Sequence, residues 1–142
     1  MNFPILSAII FIPLIGALFI FINRGPIKNV EKNSKYVAIF SSTANLFLSL
    51  FLWYSFDNSV SDFQFIEEKN WIKGLINFQL GVDGISILFI LLTTFIAPIC
   101  ILSGIQSIKF KIKEFLIAIL VMETFMLGVF CSLDLVIFYL FF

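Results

Sequence analysis

The sequence predicts an all-α, polytopic membrane protein: a bundle of four complete transmembrane helices followed by the start of a fifth. Hydrophobic residues make up 61% of the 142 residues, well above the share typical of soluble domains. A helix needs about 20 apolar residues to cross roughly 30 Å of hydrocarbon. Four apolar runs come near that length, at 3–22, 36–56, 85–105 and 115–133.

A fifth apolar run, at 135–142, reaches the last residue of the sequence. Eight helical residues rise only about 12 Å, which is too little to cross a bilayer in which every backbone polar group needs an internal partner. We therefore expect a truncated chain, with residues 1–142 forming one transmembrane region of a longer protein.

The charged residues between the runs predict an orientation, because Lys and Arg gather in short cytoplasmic loops. The connections at 23–35 and 106–114 carry seven of the nine basic residues, whereas the loop at 57–84 carries five acidic residues and two basic ones. We therefore expect both basic connections in the cytoplasm, and the 57–84 loop and the N-terminus outside.

The outer loop at 57–84 contains two segments in which apolar and polar residues alternate. Phe63 and Phe65 flank Gln64, and a second alternating segment covers residues 76–80. Alternation with a period of two is typical of a strand. We therefore predict a short β-hairpin in this loop.

The composition argues against a redox or metal centre in this chain. Histidine is absent, which removes the commonest metal ligand and the ligand of most haems, and two isolated cysteines cannot supply the four thiolates of an iron–sulfur cluster. Cys100 and Cys131 should lie at different depths, so we expect two buried apolar residues rather than a disulfide. The formal net charge of zero does not support nucleic-acid binding. We expect no catalytic residue, cofactor or metal here.

Glu123 is the strongest candidate for chemistry. It lies about nine residues into the run at 115–133, which places it roughly 13 Å deep and close to the bilayer midplane. A charged side chain at that depth costs about 3 kcal/mol on insertion scales, and a carboxyl group can bind and release protons. Glu123 is therefore a candidate proton relay. The alternative is a carboxyl group that only joins helices by hydrogen bonding.

Two aspartates precede predicted helices at the outer boundary. Asp134 follows Leu133 in a tight turn, where it can cap the next helix by accepting backbone N–H bonds or take part in proton exit. Asp83 precedes the third helix in the segment LGVDGIS. Asp134 is therefore a second candidate for a proton relay, and Asp83 is a candidate helix cap.

Four segments resemble subunit M of the proton-pumping NADH-quinone oxidoreductases, which is called chain 4 in mitochondria. They are FQFIEEKNWI, LGVDGISILFILLTTFIAPICIL, KEFLI and METFMLGVFCSLDLVIFYLFF. Within them, LGVDGIS and SLDLVIFYLFF carry the order and spacing of the family. The resemblance covers most of the chain from Phe63 onward, and the first two helices agree mainly in character and order. It implies the N-terminal part of an antiporter-like membrane-arm subunit of respiratory complex I.

The resemblance further implies that electron transfer from NADH to quinone is coupled to proton translocation. It implies other membrane-arm subunits as partners, with flavin and iron–sulfur clusters in other subunits of the complex. The membrane would be a bacterial inner membrane, or alternatively the mitochondrial inner membrane. In the family, a glutamate follows the position of Phe142 and pairs with a lysine of a later helix. Asp83 falls in a family motif, Asp134 at an acidic position, and Glu123 at a position that is glutamate in many bacterial relatives.

Two alternatives to this function stay open. One is a structural or assembly piece that does not pump protons, and the other is part of a related cation/proton antiporter subunit. Both share the predicted helical architecture, so the hydrophobic pattern does not distinguish them.

Overall fold

The computed structural model describes residues 3–142, apart from the side chain of Trp71. The four longest helices are each long and apolar enough to cross a membrane, which confirms the predicted helical bundle. The elements are α1 (Ile5–Ile22), α2 (Ile27–Ser55), β1 (Gln64–Ile72), β2 (Ile76–Val82), α3 (Gly84–Ser107), α4 (Ile112–Cys131) and α5 (Leu135–Phe141).

The helix boundaries differ from the predicted runs, most of all in α2, which begins at Ile27 rather than at residue 36. The apolar run marks only the part that matches lipid. The helix itself continues through the preceding Lys and Glu residues, which are good helix formers, back to Pro26, whose fixed φ suits a helix start. With 29 residues, α2 is about 43 Å long, so its first turns extend beyond the hydrocarbon.

The fourth helix is shifted towards the N-terminus, since it covers Ile112–Cys131 instead of residues 115–133. Only residues 132–134 remain between α4 and α5. The apolar residue Leu133 is therefore part of a turn, and hydropathy alone did not separate it from the helix.

The side of α2 that faces the interior of the bundle is more polar than the side that faces outwards. The exposed side of this helix presents large apolar side chains, such as Phe40, which is 76% exposed, and Phe47, which is 66% exposed. This arrangement is the reverse of the pattern of soluble helices and matches a helix that faces lipid on the outside and packs through small residues. The buried residues of α2 are Ser34, Ala38, Ser41, Ser42, Asn45, Ser49 and Leu52.

The predicted hairpin in the outer loop is confirmed. Strands β1 and β2 are antiparallel, with Glu68 opposite Gln79, and the turn between them contains Gly74 at a φ of +83°, a conformation that glycine adopts readily. The hairpin contacts α1, α3, α4 and α5. Its residues Leu80 and Val82 are fully buried, so the hairpin closes one end of the bundle.

The buried apolar side chains form two clusters, one in each half of the bundle. The cluster near the hairpin includes Ile9, Ile90 and Leu127, and the cluster at the opposite end includes Ile101 and Leu116. The polar buried residues described below lie between these two clusters.

The two basic connections lie at the same end of the bundle, opposite the hairpin. Lys113 at the start of α4 donates hydrogen bonds from Nζ to the backbone oxygens of Phe21 (3.4 Å) and Asn23 (2.9 Å) at the end of α1. The separation of the basic end from the acidic hairpin end agrees with the predicted alternation of the loops. The assignment of the basic end to the cytoplasm stays a prediction.

The two cysteines have different environments, and both thiols are free. Cys131 is buried as expected, but Cys100 is exposed on the surface of α3. The expectation for Cys100 was wrong because depth along a helix does not specify which face of the helix a residue occupies.

Candidate proton-relay site

A layer of buried polar residues crosses the bundle between its two apolar clusters. All of these side chains are at most 2% exposed. They come from three different helices, so the layer is assembled only when α2, α3 and α4 pack together. Its members are Ser42, Asn45 and Ser49 of α2, Thr94 of α3, and Glu123 and Thr124 of α4.

The central contact of this layer joins Asn45 to Glu123. The Nδ2 of Asn45 donates a hydrogen bond of 2.9 Å to Oε1 of Glu123, and the two side chains are 0% and 2% exposed. Both helices run from the basic end towards the hairpin end. Asn45 and Glu123 each lie eight or nine residues into their apolar runs, so they meet at the same depth.

Each of these side chains has a second oxygen without a partner. Among the described residues, Glu123 Oε2 and Asn45 Oδ1 are buried and accept no hydrogen bond. A buried polar atom without a partner costs about 1–3 kcal/mol, and such atoms are uncommon enough to need a specific explanation. The pair therefore has room for at least one more donor.

The neighbouring hydroxyl groups are largely occupied within their own helices. Ser42 donates to Ile39 O at 3.1 Å, and Thr124 donates to Leu120 O at 3.1 Å. No hydrogen bond within residues 3–142 joins these hydroxyls to Glu123, so they do not complete the pair. Ser49 Oγ and Thr94 Oγ1 share a bond of 2.7 Å between α2 and α3.

The two aspartates singled out above lie at the hairpin end, and the structure does not bring them to Glu123. Asp83 is the N-cap of α3, where its Oδ1 accepts a bond of 2.7 Å from Ser86 N. This backbone N–H holds the pKa of Asp83 below its usual range. Asp134 is the N-cap of α5 and accepts a bond of 2.8 Å from Val136 N.

The two sequence strings that carried the resemblance touch each other at this end. Leu80 and Ser132 form an isolated antiparallel bridge, and Leu133 N donates to Gln79 O at 3.1 Å. A Cβ atom on Gly81 would lie 2.7 Å from Cδ1 of Leu133. LGVDGIS and SLDLVIFYLFF therefore form one junction between the hairpin and the link from α4 to α5.

Two important residues were missed from the sequence. Asn45 is not among the candidates predicted from the sequence, although an amide at the same depth as Glu123 is a signal for such a pair. Glu67 was counted only as one of the acidic residues of the outer loop. Its carboxylate accepts bonds from Leu6 N at 2.8 Å, from Ser7 N at 3.2 Å and from the Ser7 hydroxyl, so it caps the start of α1. No sequence pattern connects residues so far apart.

Within the part of the chain that the structure describes, no group of three or more Cys, Asp or Glu side chains is placed to hold a metal ion. The site contains one carboxyl and one amide, both buried, each with an acceptor oxygen that has no partner among the described residues. A carboxyl group in such a position can hold or pass on a proton.

These features define a polytopic helical membrane protein with a carboxyl and amide pair at the centre of its bundle. No family model matches the chain. It is 45% identical over 138 residues to the NADH-ubiquinone oxidoreductase chain 4 of Marchantia polymorpha, and 45% identical over 139 residues to the NADH-quinone oxidoreductase subunit M of Rhodobacter capsulatus. The subunit M of Rickettsia bellii is 39% identical over 145 residues.

These alignments cover 96%, 97% and 100% of this chain but only 27%, 27% and 29% of the three relatives. The chain is homologous to subunit M, or chain 4, of the NADH-quinone oxidoreductases, and it spans less than a third of the length of these relatives. The suspected resemblance is thereby confirmed over nearly the whole of this chain.

Proposed function

We propose that this chain is part of a membrane-arm subunit of an NADH-quinone oxidoreductase, a complex that couples electron transfer from NADH to quinone with proton translocation. The observation that carries this proposal is the sequence identity of 39–45%, over nearly the whole chain, to subunit M or chain 4 of NADH-quinone oxidoreductases. Its partners are then the lipid bilayer and other membrane-arm subunits, and flavin and iron–sulfur clusters belong to other subunits. The membrane is a bacterial inner membrane or the mitochondrial inner membrane, with the hairpin and the N-terminus outside.

Within this function, Glu123 is the proposed proton relay. Its support is a buried carboxyl group at mid-membrane with one oxygen that has no hydrogen-bond partner among the described residues. An ionisable side chain within a membrane-spanning segment is costly to bury and by default marks a functional site such as a proton relay. Asp134, in the link that follows α4, is a second candidate. The end of α4 lies about 12 Å from Glu123 along the helix axis, and the capping bond of Asp134 also gives it a structural role.

A structural role without proton transfer is the second candidate function. The specific observation in its favour is the direct bond of 2.9 Å from Asn45 to Glu123, which joins α2 to α4. Hydrogen bonds between transmembrane helices contribute about 0.6 kcal/mol on average. The two functions differ in whether the carboxyl group must titrate.

The test is the substitution Glu123→Gln in the full-length subunit of the assembled complex. The amide keeps the shape of the side chain but cannot carry a proton between two sites, so we expect the number of protons moved per electron to fall while the complex still assembles. Glu114, an exposed glutamate in the first turn of the same helix, supplies the matched control, and Glu114→Gln should leave pumping unchanged. An unchanged stoichiometry and turnover in Glu123→Gln would contradict the relay and favour the structural role.

A further inference from the structure

We propose that Glu123 is held as a neutral carboxylic acid whose O–H group donates a hydrogen bond to Asn45. The two side chains then form an acid–amide pair joined by two hydrogen bonds. In this pair, Asn45 Nδ2 donates to Glu123 Oε1, as observed, and the Glu123 carboxyl O–H donates to Asn45 Oδ1. The inference rests on the proposed function for its role in proton transfer, but the protonation itself is tested separately.

The donors and acceptors of the pair can be matched in only one protonation state of Glu123. An ionised carboxylate has only acceptor oxygens, whereas an Asn amide has one acceptor oxygen and two N–H donors. With Glu123 ionised, its Oε2 and the Oδ1 of Asn45 would both be buried acceptors without a donor. A single proton on Glu123 turns Oε2 into a donor and supplies what both oxygens lack.

Within residues 3–142, the polar groups around the pair donate their hydrogen bonds to other acceptors. Thr93, which with Glu123 lines an apolar groove between α3 and α4, donates instead to Phe89 O at 2.8 Å. Thr94 donates to the backbone oxygens of its own helix, and Thr124 does the same. The hydroxyl groups of this layer are therefore engaged elsewhere.

No cation faces Glu123 from the helices packed around it. α1 and α3 contain no charged residue at all. The basic residues of α2 and α4 lie towards their inner ends: Lys35 is ten residues before Asn45 and Lys113 is ten residues before Glu123, which is about 15 Å along each axis. Lys113 is also bonded to the end of α1. An ionised Glu123 would thus be a buried anion without a counter-charge, which is strongly unfavourable.

The pair sits between two apolar clusters, so the proton is enclosed on both sides along the membrane normal. Its loss would leave two buried acceptor oxygens without a donor among the described residues. The proton therefore leaves Glu123 only when another donor replaces it, and Asn45 is the positioning residue that enforces this condition.

The experiment is infrared spectroscopy of the full-length protein in its assembled complex, recorded in H₂O and in D₂O. We expect the difference between wild type and Glu123→Gln to show the loss of one protonated carboxyl C=O band that shifts on deuteration. Glu114→Gln, the matched control, should lose only the bands of an ionised carboxylate. If Glu123→Gln also loses only ionised carboxylate bands, the proposal is overturned.

The role of Asn45 is tested by two further variants. In Asn45→Leu, the C=O of the acid accepts no N–H bond, so its band should move to higher frequency, whereas Asn29→Leu at the exposed start of α2 should not move it. The double variant Asn45→Asp with Glu123→Gln exchanges acid and amide without changing the number of non-hydrogen atoms. It should restore the band that Glu123→Gln lacks.

If Asn45→Leu fails to assemble, the double variant Asn45→Asp with Glu123→Gln, called the exchange variant, still tests the pairing of Glu123 with Asn45. An assembled exchange variant without the protonated carboxyl band would overturn the pairing with Asn45. The proposed relay fails on a different measurement, unchanged proton translocation in Glu123→Gln, and this result would leave the protonated pair standing.

Discussion

The carboxyl groups at the hairpin end of the bundle and the carboxyl group at its centre are held in contrasting ways. Glu67, Asp83 and Asp134 each accept hydrogen bonds from the backbone at the start of a helix. Glu123 accepts one bond from a side-chain amide and has one oxygen with no partner among the described residues. A negative charge is favoured at a helix N-terminus, whereas at the centre the single N–H bond from Asn45 opposes the cost of burying a charge without a counter-charge. The comparison separates three acids that cap helices from one buried acid that has no backbone donor among the described residues.

The largest effect on stability should come from Glu67→Ala. It removes the acceptor of Leu6 N, Ser7 N and the Ser7 hydroxyl, and we expect a loss of about 2–3 kcal/mol in the free energy of unfolding in detergent micelles. Glu68→Ala is the matched control, because Glu68 accepts one exposed bond, from Gln79, and should cost under about 0.5 kcal/mol. Equal losses in the two variants would contradict a capping role for Glu67.

Gly81→Ala should have the next largest effect, since its Cβ would lie 2.7 Å from Cδ1 of Leu133. Overpacking costs about 1–3 kcal/mol, and because the atom met is the end of a flexible leucine side chain we expect a loss in the lower half of that range, measured again as the free energy of unfolding. Gly84 of the same LGVDGIS segment has no atom within 4 Å of its Cβ position, so Gly84→Ala should be near neutral. If the two alanines were tolerated alike, the junction between the hairpin and the α4–α5 link would be looser than described.

Asp83→Ala should cost about 1 kcal/mol through the loss of the cap on α3, and Asp83→Asn, which keeps an acceptor oxygen, should cost less. The lowered pKa of Asp83 in the folded protein gives this contribution a pH dependence. It should be fully present above the unfolded-state pKa of about 3.9 and should be lost as the pH falls through the lower folded-state pKa. The difference in unfolding free energy between wild type and Asp83→Asn, followed from neutral to acidic pH, checks this sign. A difference that grows on acidification would contradict it.

The smallest effect on stability should come from Glu123→Gln, at under about 0.5 kcal/mol. The new amide can donate to Asn45 Oδ1 and still accept from Asn45 Nδ2, so the pair keeps two bonds without a proton. Glu123→Ala leaves Asn45 unpaired and should cost about 2 kcal/mol. A Glu123→Gln variant as unstable as Glu123→Ala would contradict the neutral acid–amide pair.

Sequence patterns predicted the depth of residues in the membrane but not the contacts of Asn45 and Glu67 or the exposure of Cys100. The depth of Glu123 was readable because the rise of a helix converts residue number into distance. Its partner Asn45 was not identified, because depth does not specify which face of a helix a residue occupies, and the same reason explains the error at Cys100. The Glu67 cap joins residues about 60 positions apart, and no local pattern encodes such a contact.

By itself, the sequence determined the membrane class, the four spans, the hairpin and the separation of basic from acidic ends. These properties follow from hydropathy, periodicity and charge, which act along the chain and are summed over many residues. Only the tertiary structure decided that Asn45 meets Glu123, that Glu67 caps α1, and that LGVDGIS contacts the link before α5. Each of these depends on how helices rotate about their axes and pack against one another, which is set by the shapes of side chains in three dimensions.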